Sequence, residues 1–194
     1  MRFLAQFRAA PNLLTLLRLF IIPFLIIAIT DGRYRIAFGL FVLAGISDGL
    51  DGLLARWLGQ HTRLGEYLDP IADKLMMSTL FVTLTHVGLI PRYVTVLVFS
   101  RDLGILLIAT LLFATGTLRD FRPSLFGKLN TVAQILGLMA VMCERAFTST
   151  ANSGGLLMVR DGLLRCIAVL APLSAAQYAW IVIRRVNAPV ESAG

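Results

Sequence analysis

The sequence predicts an all-α integral membrane protein of about six transmembrane helices, preceded by a short N-terminal interfacial helix. Three observations lead there. Of 194 residues, 57% are hydrophobic and 15% charged, and the mean hydropathy is +0.79, well above that of a soluble domain of this size. Apolar runs of roughly 20 residues, the length that crosses a hydrocarbon core, recur through the chain. Lysine and arginine collect between alternate runs, as the positive-inside rule requires.

Each element follows from its residues. In 1–10, Phe3, Leu4 and Phe7 lie among Arg2, Gln6 and Arg8, a pattern for a helix lying in the membrane interface. Six spans are expected at 11–30, 35–56, 67–88, 91–114, 124–147 and 156–183. Pro11-Asn12 opens the first. It is not expected to be a cleaved signal peptide, because it is long, contains Arg18, and leads into Asp31-Gly-Arg-Tyr-Arg rather than a small-residue cleavage site. A polar loop, Gly59-Gln-His-Thr-Arg63, joins the second and third spans, and Pro91 starts the fourth. Arg119–Arg122 with Pro123 and Ser124 mark a loop before the fifth, and Asn152-Ser-Gly-Gly a turn before the sixth. No repeat or second domain is visible. A single membrane domain is expected over 11–185, with a frayed tail at 186–194.

Charge sets the expected orientation. With the N-terminus in the cytoplasm, ten basic residues (Arg2, Arg8, Arg56, Arg63, Lys74, Arg119, Arg122, Lys128, Arg184 and Arg185) fall at that face. Four (Arg33, Arg35, Arg92 and Arg145) fall at the other. Both termini and all four aspartates discussed below are then cytoplasmic, in a multi-pass protein of the cell inner or plasma membrane. The net charge of +7 follows from this bias and from attraction to anionic headgroups, so nucleic acid is not an expected partner. Cys143 and Cys166 are isolated in apolar stretches and are expected to be small core hydrophobes.

The chemistry concentrates in Asp48-Gly-Leu-Asp51-Gly52-Leu-Leu-Ala55-Arg56 and in Gly65-Glu-Tyr-Leu-Asp69-Pro-Ile-Ala-Asp73. Asp48 and Asp51 are three apart and Asp69 and Asp73 four apart, so each pair shares a helix face. A charged side chain deep in a bilayer costs about 2.5–3.5 kcal/mol or more, which makes such a cluster functional by default. Four converging acids repel unless cations neutralise them, and hard oxygen ligands suit Mg²⁺ or Mn²⁺. Gly45 and Gly49 are explained by close helix packing. Gly52 and Ala55, beside the acids, leave room for a large polar ligand to approach the backbone. The acids could instead form an ion path in a transporter. They cluster at one end of two adjacent spans, however, rather than at the midplane between related halves, and carboxylates beside arginine and glycine suit two-metal phosphoryl-group chemistry better.

The pattern D-x2-D-G-x2-A-R-x8-G-x3-D-x3-D is satisfied at every position from Asp48 to Asp73, and the chain thereby resembles the CDP-alcohol phosphatidyltransferases. Asn12-Leu-Leu-Thr15-Leu-Leu-Arg18, Ser100-Arg101-Asp102 and Gly127-Lys128-Leu-Asn130-Thr131 resemble the phosphatidylglycerophosphate and cardiolipin synthase branch, so the likeness covers roughly residues 10–135. The resemblance implies that Asp48, Asp51 and Asp69 hold divalent ions, two in number, with Asp73 also near the second ion and acting as general base. It implies a site for CDP-diacylglycerol formed by Gly52, Ala55, Arg56 and Gly65 together with Asn12, Thr15 and Arg18. It also implies a homodimer among membrane lipids. The expected reaction is transfer of a phosphatidyl group from CDP-diacylglycerol to glycerol 3-phosphate, releasing CMP. The alternative acceptor is phosphatidylglycerol, which would make the product cardiolipin. Asn130 stands where the glycerol 3-phosphate branch usually has a second lysine, and Ser100-Arg101-Asp102 looks more like the cardiolipin branch.

Other polar residues leave two readings each. Lys128 and Arg122 suit the acceptor's phosphate, whereas Arg119 suits headgroup snorkelling equally well. Arg101 with Asp102 is either an ion pair or part of the acceptor pocket. Arg18, three residues after Thr15 on one face, either reaches the diphosphate or pairs with an acid. His61 and His86 fit solvated positions, and Arg160, Asp161 and Arg165 an i, i+4 salt-bridge set.

Overall fold

The structure is a computed structural model that describes the backbone of residues 10–58, 63–114, 125–147 and 154–186, and the side chains of 15–50, 69–108, 110, 125–147 and 154–184. The expected interfacial helix, the 59–62 loop with His61, the Arg119–Ser124 loop and the tail beyond 186 lie outside the described residues. Six helices make up the described backbone: α1 Ala10–Thr30, α2 Tyr34–Leu58, α3 Arg63–His86, α4 Arg92–Ala114, α5 Leu125–Phe147 and α6 Gly154–Val186. By length and composition, α5 and the Gly154–Arg184 stretch of α6 qualify as membrane-crossing, and Thr15–Thr30 is a shorter apolar helix.

Two packing units are present. The first contains α1, α2, α3 and the end of α5 from Leu138; the second contains α4, the start of α5 to Gly137, and α6 from Met158. In the first unit α1 lies along both α2 and α3. The spacing of its buried residues explains why: Thr15, Arg18, Ile21, Leu25 and Ala28 recur every three or four positions and form one stripe. The facing stripe on α2 is Ala37, Phe41, Ala44 and Ser47, and that on α3 is Ala72, Met76, Leu80, Thr83 and Leu84. Small residues on these stripes let the backbones approach closely. The opposite sides stay apolar but exposed, as with Phe20, Phe24 and Ile27 on α1.

Two glycines end helices for a conformational reason. Gly32 has φ 71°, its N–H donates to the Ile29 carbonyl (3.1 Å), and the Arg33 N–H donates to the Ala28 carbonyl (2.8 Å). Gly88 repeats the motif at φ 77°, with Gly88 N–H on the Thr85 carbonyl and Leu89 N–H on the Leu84 carbonyl. Both are Schellman ends, in which only glycine takes the left-handed position without strain.

In the second unit, Arg101 on α4 donates from Nε and Nη2 to Ser174 Oγ on α6 (3.3 and 3.2 Å). Gly137 on α5 faces Ile167 on α6 so closely that an added Cβ would sit 2.7 Å from Ile167 Cδ1.

Three expectations need correction. Helix α3 starts at Arg63 rather than 67 and continues through Pro70, because hydropathy marks apolar residues whereas a helix needs only backbone hydrogen bonds, which Arg63 and Glu66 supply as well as leucine does. Gly154 and Gly155 open α6 instead of forming a turn, and that helix of 33 residues outlasts the apolar run at both ends. Cys166 is exposed rather than a core residue, while Cys143 is partly buried.

Candidate active site

The stripes of α1, α2 and α3 change character at one end. Apolar residues give way to Thr15 and Arg18 on α1, to Asp48 on α2, and to Asp69 and Asp73 on α3, each continuing the spacing of the core residues before it. Arg18 is wholly buried (0% exposed), and its two terminal nitrogens divide between helices. Nη2 lies 2.6 Å from Asp48 Oδ1, and Nη1 donates to Asp73 Oδ1. One turn away, the Thr15 hydroxyl donates to Asp69 Oδ1. A guanidinium can hold two carboxylates at once because its donors are fixed in a planar fork. Three of the four acids are thus gathered by a single helix, and of the two roles open to Arg18 the structure places it on the acids. Nearly half of the Asp48 and Asp73 side chains (45% each) stays exposed, so the carboxylates remain accessible beside their buried counter-charge.

Asp51 follows Asp48 by one turn on the described backbone of α2, with Gly52, Ala55 and Arg56 beyond it, and Gly65 lies on α3. Their side-chain surroundings, like that of Asn12 on α1, fall outside the described residues. Among the described residues no three acid, histidine or cysteine side chains stand together as a ready ion-binding group. The donor set itself, carboxylate and hydroxyl oxygens alone, has the chemistry that Mg²⁺ or Mn²⁺ selects.

The residues expected on the acceptor side lie on α4 and α5. Arg101 is mostly buried, with Nη1 2.7 Å from Asp102 Oδ1 in addition to its bonds to Ser174, which is the ion-pair arrangement. Lys128 is exposed near the start of α5, and Arg122 lies outside the described residues. Two turns of α5 hold something that sequence reasoning missed. Asn130 and Gln134, four residues apart and buried, keep the Asn130 amide and the Gln134 Nε2 without a hydrogen-bond partner among the described residues. The polar spacing itself was the available signal. On α6, Arg160 pairs with its neighbour Asp161 (2.8 Å).

An all-helical protein with apolar helices and a buried arginine dividing its nitrogens between acids on two helices belongs to the class of helical membrane proteins with an acidic polar site. Comparison with known proteins narrows this. The family model described as CDP-alcohol phosphatidyltransferase matches residues 8–183, and the chain belongs to that family. It is 35% identical over 155 residues to the human protein named cardiolipin synthase (CMP-forming), covering 71% of this chain and 51% of that one. Over 173 residues it is 32% identical to the CDP-diacylglycerol–glycerol-3-phosphate 3-phosphatidyltransferase of Pseudomonas fluorescens, covering 86% and 89%. The protein of that name from Bacillus subtilis is 31% identical over 147 residues, covering 68% and 75%. The chain spans about half the length of the human and rat cardiolipin synthases it matches. Members of the family are membrane enzymes and generally depend on divalent metal.

Proposed function

We propose that this protein transfers a phosphatidyl group from CDP-diacylglycerol to glycerol 3-phosphate, forming phosphatidylglycerophosphate and releasing CMP. The observation that carries the reading is the convergence of Asp48, Asp69 and Asp73 on Thr15 and Arg18, within a stretch that meets the family signature at every position. Relatives bearing the glycerol 3-phosphate name are matched over most of their length, which supports that acceptor. Phosphatidylglycerol is the second reading, supported by the cardiolipin synthase relatives and by neutral Asn130 in place of a second lysine.

The residues divide the work as follows. Asp48, Asp51 and Asp69, with Asp73 beside them, would hold two divalent ions, which when bound neutralise the diphosphate and the departing CMP. Arg18 is a positioning residue: its fork sets Asp48 and Asp73 relative to each other, and Thr15 does the same for Asp69. Asp73 accepts the proton of the acceptor hydroxyl, which is otherwise a poor nucleophile at neutral pH. The resulting oxygen attacks the phosphorus that carries diacylglycerol, one P–O bond forms, the P–O bond to CMP breaks, and CMP leaves as an anion. Gly52, Ala55, Arg56, Gly65 and Asn12 line the nucleotide side. Lys128 and Arg122 take the acceptor phosphate, with Arg101, held by Asp102 and Ser174, as a further cation for the acceptor.

The multi-pass arrangement belongs to the same reading. All six helices span, with the termini and the aspartates on the cytoplasmic side. Its support is the exposed apolar surface along α1, α4 and α6, such as Phe20, Leu103, Leu106 and Val169, far more than water tolerates. A homodimer is proposed from family likeness. The deciding experiment measures CMP release from CDP-diacylglycerol with glycerol 3-phosphate or phosphatidylglycerol, with Mg²⁺, Mn²⁺ or chelator. Release with glycerol 3-phosphate that requires metal is expected; release with phosphatidylglycerol alone reassigns the acceptor, and no release with either rejects the reaction and favours an ion-handling role for the acids.

A further inference from the structure

The first unit carries a second charged cluster, at the end of α1 and α2 away from the aspartates. Arg35 precedes Asp48 by thirteen residues, about 20 Å along α2 at 1.5 Å per residue. The Schellman turn at Gly32 delivers Arg33, Tyr34 and Arg35 to the start of α2, and Arg145 and Phe147 at the end of α5 close the other side. Together they line a cavity of about 560 Å³.

Its electrostatics favour an anion. Arg35 donates from Nε to the Ala146 carbonyl (2.9 Å), a neutral partner that leaves its charge in place. Arg33 is 68% exposed and meets Asp31 only at 4.0 Å, while Arg145 meets Glu144 at 3.4 Å. Three positive groups face two negative ones. The first turn of α2 contains no acid, and its N-terminal N–H groups add partial positive charge.

Beside the cavity lies a groove of about 310 Å³ that has Arg33 and Ile36 in common with it and is lined further by Phe24, Ile27, Ala28, Asp31 and Leu40. Phe24, Ile27 and Ile36 are exposed. A cationic cup adjoining an apolar groove across Arg33 and Ile36 matches a ligand whose charged head is joined to a hydrocarbon chain. We infer that this corner binds one anionic glycerophospholipid, with its phosphate diester among Arg33, Arg35 and Arg145 and one acyl chain along the groove. A free phosphate leaves the groove unused, and a zwitterionic head brings an ammonium among arginines. The bound lipid would clamp the α1–α2 corner to the end of α5, reinforcing the Arg35–Ala146 bond. It touches none of the residues assigned to the reaction.

The test uses the full chain, delipidated in detergent and titrated with dioleoyl phosphatidylmethanol, an anionic diester with no hydroxyl to act as acceptor. The expected result is a saturable rise in melting temperature, half-maximal at a lipid concentration at least tenfold below that for phosphatidylcholine. Arg33→Gln with Arg145→Gln should raise that concentration at least tenfold, and Ile36→Trp, which fills the groove with the charges intact, should do likewise. Arg33→Lys with Arg145→Lys should keep most of the response, and Asp73→Asn all of it, which separates this site from the aspartates. An equal response to phosphatidylcholine overturns the inference, as does the same rise with water-soluble glycerol phosphate. So does a full response in the glutamine pair or in Ile36→Trp. If the glutamine pair does not fold, Ile36→Trp against the lysine pair decides.

Discussion

Arg18 offers the sharpest test of how the candidate site is built. Its buried guanidinium reaches Asp48 at 2.6 Å with one nitrogen and Asp73 with the other. Lysine in its place offers one compact ammonium, which cannot serve both acids as a fork does. A hydrogen bond to a charged group contributes about 1.5–3 kcal/mol, and losing one partner of a fully buried pair costs about 3–5 kcal/mol. Both acids are 45% exposed, so water screens part of the loss and the lower end applies, about 1.5–2 kcal/mol for one arm. That corresponds to about 10–30-fold in kcat/KM if the lost arm misplaces an acid in the transition state. Arg18→Met removes both arms and should also lower the melting temperature. Pairing Arg18→Met with Asp48→Asn, read by CMP release and thermal unfolding in detergent, should recover about 1 kcal/mol or more relative to the sum of the single changes. Wild-type kcat/KM in Arg18→Lys, or strict additivity in the cycle, would refute the idea that this arginine sets the acids.

Other outcomes follow from single contacts. Asp73→Asn should lower kcat at least about 100-fold, since an amide cannot take the acceptor's proton; steady-state CMP release measures it. Thr15→Val removes the hydroxyl donated to Asp69 and should raise the metal concentration needed for half-maximal rate, with kcat at saturating metal nearly unchanged. Chelation should abolish turnover, and Mg²⁺ or Mn²⁺ should restore it. Gly32→Ala meets no atom within 4 Å but must hold φ near 71°, so it should cost about 1 kcal/mol from backbone strain alone. Gly137→Ala is the opposite case. Its helical propensity gain of about 1 kcal/mol offsets the push on Ile167 Cδ1, so stability should barely change, whereas Gly137→Leu should lose about 1–3 kcal/mol by overpacking.

Helix positions were legible because hydropathy runs and punctuating residues agree. The expected 91–114 and 124–147 stand within a residue or two of α4 and α5, where Pro91 and the Arg-Pro loop mark the starts. The start of α3 was not legible, because a polar turn of helix has no hydropathy signal. The outward side of Cys166 was missed because an all-apolar stretch does not say which of its faces is covered. At the site, the spacing of Asp69 and Asp73 showed that they share a face, but not what they face. The pairing of Thr15 with Asp69, and of Arg18 with Asp48 and Asp73, crosses more than fifty residues in two of its three contacts, beyond the reach of any local pattern.

By itself, then, the sequence determined the apolar helical character, the acidic signature and the family, because each is written in residue type and spacing along one chain. Tertiary structure alone decided that Arg18 is spent on the aspartates, that Asn130 and Gln134 are buried, and that Arg33, Arg35 and Arg145 share a cavity. These are properties of side chains from distant segments meeting across helix faces. Which faces meet is set by the fit of small and large residues over whole stripes, a collective outcome of packing that no single motif encodes.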